Sequence, residues 1–208
     1  MRAPGRRDLR CERHLLPILP PLVLASASPR RRELLSQLGV PFRVEPSTVR
    51  ETHDPRGNAI EVAERNATAK ANAVAERLPG SLILGADTLV FLDDVVLGKP
   101  LDMAEAEGML ARLSGRTHQV VTAVCLFQKE SRRRNTFTEI TAVTFRKLTS
   151  TEIRAYLATI DPMDKAGSYA IQENGDAIVH SVTGSYSNVV GLPVERLQAE
   201  LERWVGPR

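Results

Sequence analysis

Cysteine is scarce: the 208 residues hold only Cys11 and Cys125. Two thiols so placed build no disulfide framework, and a reducing, cytoplasmic setting is the expectation. Apolar runs are short, and none approaches the ~20 residues of a membrane helix, so no membrane partner is expected. The four histidines, His14, His53, His118 and His180, are scattered. No cysteine pair stands at zinc spacing, and the zinc-protease, nucleophile-elbow and Walker phosphate-loop motifs are all missing. An excess of charge is missing too, the formal net charge being +3. The basic runs at Arg2 to Arg13 and Arg132 to Arg134 read as solvated tail and loop, which gives no ground for a nucleic-acid partner.

What is present is ordinary for one soluble domain: 42% hydrophobic and 25% charged residues. Residues 1–20 lack periodicity and carry three prolines; they read as a disordered extension before a single domain over 21–208. Leu22 to Ala25 reads as a short buried strand. Ser28 then suits the cap and Pro29 the first turn of a helix, with Gly39 beyond its end. Phe42 to Pro46 is a strand, Asn58 to Leu78 a helix and Ser81 to Gly85 a strand. Thr88 to Leu97 reads as a hairpin turning at Asp93-Asp94, and Asp102 caps a helix to Leu113. Thr117 to Phe127 and Thr136 to Leu148 are long strands. Thr149 and Glu152 form a capping box, Ile171 to Val182 reads as strand, loop, strand, and Pro193 opens the last helix. Interleaving early and long hairpins late predict an α/β fold: a mixed twisted sheet with flanking helices, in two lobes around a groove.

Five stretches carry chemistry. The segment LASASPRRRELL, Leu24 to Leu35, reads either as the end of a secretory signal or as a strand feeding a helix N-terminus. Pro17, Pro20 and Pro21 spoil the apolar helix of a signal. A helix start offers free N–H groups and a positive dipole end to an anion, and Arg30 and Arg31 add forked donors; Arg32 points to solvent. In LILGADTLV, an apolar strand ends in Gly-Ala-Asp-Thr and puts Asp87 at its carboxyl end, where open sheets bind ligands. That carboxylate can hold a divalent metal, accept a proton or merely cap a turn. Lys70 lies beside the helical stripe Ile60, Ala63, Ala67, Ala71, Val74 and Leu78, so it either snorkels outward or enters an acidic cleft. Lys99, held extended by Pro100, suits a phosphate clamp or a plain loop. Gln172, after DKAGSYAI, carries an amide able to read a base edge.

Together LASASPRRRELL, the Asn66 to Lys70 segment, GADTLV, GKP, LSGRTHQVVTAV, DKAGSYAIQ and GSYSNVVGLP resemble the Maf family of nucleoside triphosphate pyrophosphatases. The resemblance spans Leu22 to Trp204, and GADT with Ile-Gln is similar to the branch acting on dTTP and UTP. It implies a fold like that of inosine triphosphatase, and hydrolysis between the α- and β-phosphates with a divalent cation, Mg²⁺ or Mn²⁺. By the same resemblance Asp87 is the proton acceptor. Arg30, Thr88 and Gln172 select the base, and Ser26, Arg31, Lys70 and Lys99 hold phosphates. Glu51 joins Asp87 at the metal, although Arg50-Glu51-Thr52 replaces the family's usual acidic pair. A homodimer is expected. Ala170 stands where the family usually has glycine, so its backbone must avoid positive φ. Because Ala-Ser-Ala belongs to the motif, cleavage there would remove Ser26, and export is not expected. The rival readings are the same reaction on a modified or methylated nucleotide, and a septum-related or nucleic-acid-binding module without enzymatic activity.

Overall fold

A computed structural model describes residues 19–52, 58–93 and 95–206. The expected N-terminal extension, with its arginines and Cys11, lies outside them up to residue 18. Among these residues seven strands form one mixed sheet in the order β2-β1-β3-β5-β6-β7, with β4 also on β3. β1 (Leu22–Leu24) runs parallel to β2 (Phe42–Val44) and to the first half of β3 (Leu82–Leu92). β4 (Val95–Leu97), β5 (Thr117–Gln128), β6 (Arg133–Phe145) and β7 (Val179–Thr183) add antiparallel pairs. The predicted α/β class with a mixed, helix-flanked sheet is what the chain adopts.

Among the described residues six helices flank the sheet: α1 (Pro29–Ser36), α2 (Ala59–Ala75), α3 (Met103–Leu113), α4 (Ser150–Leu157), α5 (Tyr186–Val190) and α6 (Val194–Val205). α2 packs on one face of the sheet, over Val23, Ile83, Ala123 and Cys125. α1 and α6 cover the other face, over Leu22, Leu84, Ala86 and Val124. A third core joins α3 and α4 to the far ends of β3 and β5. Caps fall where the sequence places them: Ser28, Asn58 and Asp102 accept from their first turns, and Thr149 and Glu152 complete the capping box. Among the described residues no helix is long and apolar enough to cross a membrane.

Four expectations need correction. β3 does not stop at Gly85; it runs on to Leu92, because β5 pairs with it from Ile83 to Phe91. Asp87 therefore sits in mid-strand. It nevertheless lies beyond the end of β1, whose last partner on β3 is Leu84. Where β1 stops and the chain turns into α1, the sheet loses a strand and a gap opens between its two faces.

The buried stripe of α2 is shifted from the predicted one. Ile60 is exposed, while Val62, Asn66 and Lys70 join the alanines on the covered face. The basic run at 132–134 is exposed, as expected, but it is not all loop: only Arg132 is in the turn. Arg133 and Arg134 begin β6 and lay their guanidinium groups over Trp204 and Phe127. Finally, no strand starts at Ile171. The Glu173 N–H bonds back to the Ala170 carbonyl and Asn174 takes a positive φ of 53°, which turns the chain out of an extended path. The chain instead makes short 3-10 turns at Pro162–Asp164, Ala166–Ser168 and Gly175–Ala177 before β7. Ala170 avoids positive φ, as its side chain requires.

Candidate active site

The gap beyond β1 is a cavity of about 390 Å³, within the range of small-molecule sites. All of the candidate side chains line it: Ser26, Arg30 and Arg31 from the β1–α1 turn, Glu51 from the segment after β2, Lys70 from α2 and Asp87 and Thr88 from β3. Lys99, after β4, and Gln172 complete the wall. Neighbouring residues of β3 point to opposite faces, so Asp87 looks toward α2 while Thr88 looks toward α1 and α5. Only the end of a neighbouring strand lets one cavity touch both.

On the α2 face the charges are tightly paired. Lys70 Nζ donates to Asp87 Oδ1 and to Glu51 Oε1, each at 2.7 Å, and to the Ala86 carbonyl at 3.2 Å. Asn66 Nδ2 donates to Asp87 Oδ2 at 2.9 Å, and the same amide group binds both backbone groups of Thr52. Lys70 does not snorkel: it is 7% exposed and takes the second of its two predicted courses, into an acidic cleft. Its three ammonium protons are all committed, so it reaches a phosphate only by giving one up. Burial pushes the Glu51 carboxyl up. The charge and hydrogen bond of Lys70, with Lys99 and Arg31 behind them, outweigh this and hold the group at about 2. One ammonium group thus bridges the carboxylates of Glu51 and Asp87. Lys99 Nζ stands 3.6 Å from Glu51 Oε2 with its head half in solvent.

α2 approaches β3 this closely because residue 85 is glycine. A Cβ there would lie 2.2 Å from the Ala67 carbonyl oxygen and 2.8 Å from the Ala71 nitrogen. The alanine stripe of α2 and a glycine inside an apolar strand are the signals of such an approach.

On the opposite face, Arg31 donates from Nε to the Gly191 carbonyl at 2.9 Å and from its two terminal nitrogens to Thr88 Oγ1 (2.9 Å) and Ser26 Oγ (3.4 Å). A guanidinium has five N–H donors, so two remain for an anion. Burial lowers the pKa of Arg31, opposed by the fields of Asp87 and Glu51. Ser26 Oγ also accepts from the Ser28 N–H. Behind Thr88, its hydroxyl meets Thr122 Oγ1 at 3.0 Å, and Thr122 donates to the Asn188 carbonyl. Arg30 reaches across the mouth to Asp164 Oδ2 at 3.0 Å, and Lys165 holds Asp164 Oδ1 from the other side. Burial raises the Asp164 carboxyl, but Lys165 and Arg30 bring it below its usual value. Arg32 is exposed, as expected.

The parts played by Asn66, Asp164, Thr122 and Asn188 are not evident from the sequence alone. Asn66 carried a signal, an amide one turn from Lys70 on the same face. The other three lie inside the motifs DKAGSYAIQ, LSGRTHQVVTAV and GSYSNVVGLP, but the contacts that tie them to Arg30 and Thr88 come from elements far away in the chain.

A metal fits this donor set in one way. Among the described residues no group of three or more His, Cys, Asp or Glu comes together. Two carboxylates suit a hard cation whose remaining ligands are phosphate oxygens and water. Any such ion competes with Lys70 for the space between Glu51 and Asp87.

The family model of Maf-like proteins matches residues 21–204. A dTTP/UTP pyrophosphatase of Akkermansia muciniphila is 49% identical over 180 residues, 85% of this chain and 93% of that protein. One from Bacillus cytotoxicus is 50% identical over 182 residues, covering 88% and 94%. One from Symbiobacterium thermophilum is 50% identical over 175 residues, covering 84% and 89%.

Proposed function

The chain belongs to the Maf family, and we propose that it hydrolyses dTTP and UTP between the α- and β-phosphates, giving the monophosphate and pyrophosphate. One observation carries this reading: a nucleotide-sized cavity in which the buried Asp87–Lys70–Glu51 cluster meets Arg31 around the end of β1. Its relatives act on polyanions that such a site suits.

Asp87 accepts the proton of the water that attacks the α-phosphorus. Lys70 and Asn66 fix the two oxygens of that carboxylate, and each oxygen keeps a further lone pair for the proton. General-base help of this kind is typically worth about 10²–10⁴ in rate. The two uncommitted donors of Arg31, the Ser26 hydroxyl and Lys99 hold phosphate oxygens and neutralise the leaving pyrophosphate. Lys70 contributes there once one of its protons is released from Glu51. A divalent cation, Mg²⁺ or Mn²⁺, held by Glu51 and Asp87, would supply charge neutralisation and a lowered water pKa. Arg30, Thr88 and Gln172 face the base, the amide of Gln172 pairing with the O4 and N3–H edge that dTTP and UTP share.

The test is direct. Incubation of the full chain with dTTP or UTP and Mg²⁺ or Mn²⁺ should release pyrophosphate. Asp87→Asn should lower turnover at least about a hundredfold and keep nucleotide binding. A purified Asp87→Asn variant working near the parent rate removes Asp87 from the chemistry. Gln172→Glu should depress dTTP and UTP relative to other nucleotides, and an unchanged profile removes Gln172 from base reading. A cytoplasmic setting accords with the buried free thiol of Cys125. Membership of the family supports a homodimer, which sedimentation would check.

A further inference from the structure

The stretch from Lys165 to Gln172 walls the cavity without belonging to a strand or a full helix turn stack. No ladder of sheet hydrogen bonds fixes it; single backbone bonds, such as that from the Gly167 N–H to the Gly98 carbonyl, and side chains hold it at points. One of them is Tyr156 of α4, 3% exposed and outside the cavity lining. Its hydroxyl accepts from the Ala170 N–H at 3.0 Å and donates to the carbonyl of the same residue at 3.1 Å. One oxygen thus does for Ala170 what a neighbouring strand would. A second hydroxyl, that of Tyr169, meets His118 Nε2 at 2.8 Å. Burial pushes the Tyr156 hydroxyl up to about 12, so it keeps its proton and can donate throughout any ordinary assay range.

We propose that Tyr156 is a positioning residue for base recognition: its hydroxyl clamps the Ala170 peptide and so sets how the segment ending in Gln172 meets the nucleotide. The inference rests on the reading of the site as a dTTP/UTP pyrophosphatase with Gln172 at the base. Ala170 is 7% exposed. Without the hydroxyl its buried N–H loses its partner and its carbonyl keeps only the Glu173 N–H at 3.2 Å, so the peptide is free to turn. Gln172 follows two residues on. The cluster of Asn66, Lys70 and Asp87 is held by α2 and β3 and takes no bond from α4. The effect therefore falls on binding and selectivity rather than on the chemical step.

Tyr156→Phe in the full chain keeps the ring and removes the clamp. KM for dTTP and UTP should rise about tenfold, the scale of a lost buried partner, with kcat within about twofold. The preference for dTTP over dATP should narrow by a similar factor. In the unaltered chain the Ala170 amide should exchange with deuterium slowly. A variant that loses only melting temperature, with KM and preference intact, makes Tyr156 merely structural and overturns the proposal. A fall in kcat at constant KM overturns it as well. The exchange measurement needs no variant: an Ala170 amide exchanging like an open loop shows that there is no clamp. If the unaltered chain releases no pyrophosphate from dTTP or UTP, the reading of the function fails and the inference with it. A working enzyme with an indifferent Tyr156 sinks the inference alone.

Discussion

The two walls of the cavity are built on different principles. On the sheet side, Asn66, Lys70 and Asp87 stand on a helix and a strand, with Lys70 and Asp87 side chains 9% and 5% exposed. Every polar atom of the cluster has a short, fixed partner. Across the mouth, Arg30 and Asp164 make their pair at 20% and 50% exposure, and Gln172 is exposed on an irregular segment. Charges that must keep one geometry gain most from low dielectric and rigid elements, because reorganisation is then small. Groups that meet the variable end of a ligand sit on backbone fixed only at points, which can be re-aimed by few substitutions.

That contrast breaks first at Gly85. Gly85→Ala should be the most damaging single methyl in the molecule. The added Cβ would need the backbone of α2 to withdraw, and backbone yields less readily than a side-chain tip. Overpacking on this scale costs about 3 kcal/mol, or roughly 6–12 °C in melting temperature for a chain of this size. Withdrawal of α2 also carries Lys70 and Asn66 away from Asp87, so activity should fall further than stability alone explains. Thermal melts and pyrophosphate release check both. An alanine variant that melts with the parent would mean that α2 does not bear rigidly on β3.

Much of the rigid wall was legible in the sequence because its signals are local. The strand-to-helix turn at Ser28-Pro29, the apolar run before Asp87 and the caps of α2, α3 and α4 are each written within a few residues. The course of β3 past Gly85 was not, since its continuation depends on β5 some forty residues later in the chain. The fate of Lys70 is undecided in the sequence for the same reason: whether a lysine beside an apolar stripe turns outward depends on Glu51 and Asp87 arriving from other elements. The irregular wall was least legible. At Ile171 a β-like composition is overridden by the turn at Glu173 and Asn174, the latter at positive φ, and by a tyrosine hydroxyl from α4. The candidate residues nonetheless line one cavity: Arg30, Arg31, Lys70, Asp87, Lys99 and Gln172 stand out by their own local patterns, and Ser26, Glu51 and Thr88 by the family resemblance.

A second prediction separates the walls by pH. His118, 2% exposed on β5, touches Tyr169 and Phe145, and burial lowers its imidazole from 6.5 to about 4. The unfolded chain therefore binds a proton at this residue near pH 6.5, and the folded chain only near 4. Between those values the unfolded state holds more protons, so stability falls as pH drops through the window, by at most on the order of 3 kcal/mol. Above 6.5 the residue contributes no slope. Urea unfolding of the parent and of His118→Gln at about pH 7 and about pH 5 should show the parent losing more. Equal losses would place the acid sensitivity elsewhere and leave the irregular wall no softer than the sheet.

The smallest effect is expected at Asp164. Its carboxylate bridges Arg30 and Lys165 at the cavity mouth, but half of the side chain is in water. Exposed ion pairs are worth about 0.2–1 kcal/mol, because solvent screens the attraction and two side chains lose freedom. Asp164→Asn should then shift melting by no more than about 4 °C, with the difference fading as salt is added. Arg30 would still be present but no longer aimed, so KM for dTTP should respond more than stability does. Melting and KM measured against ionic strength decide the point. A loss as large as that of Gly85→Ala, insensitive to salt, would mean that the mouth is held as firmly as the sheet. Rigidity would then extend over the whole cavity, and recognition of the base would have to be sought in its shape instead of in a re-aimable wall.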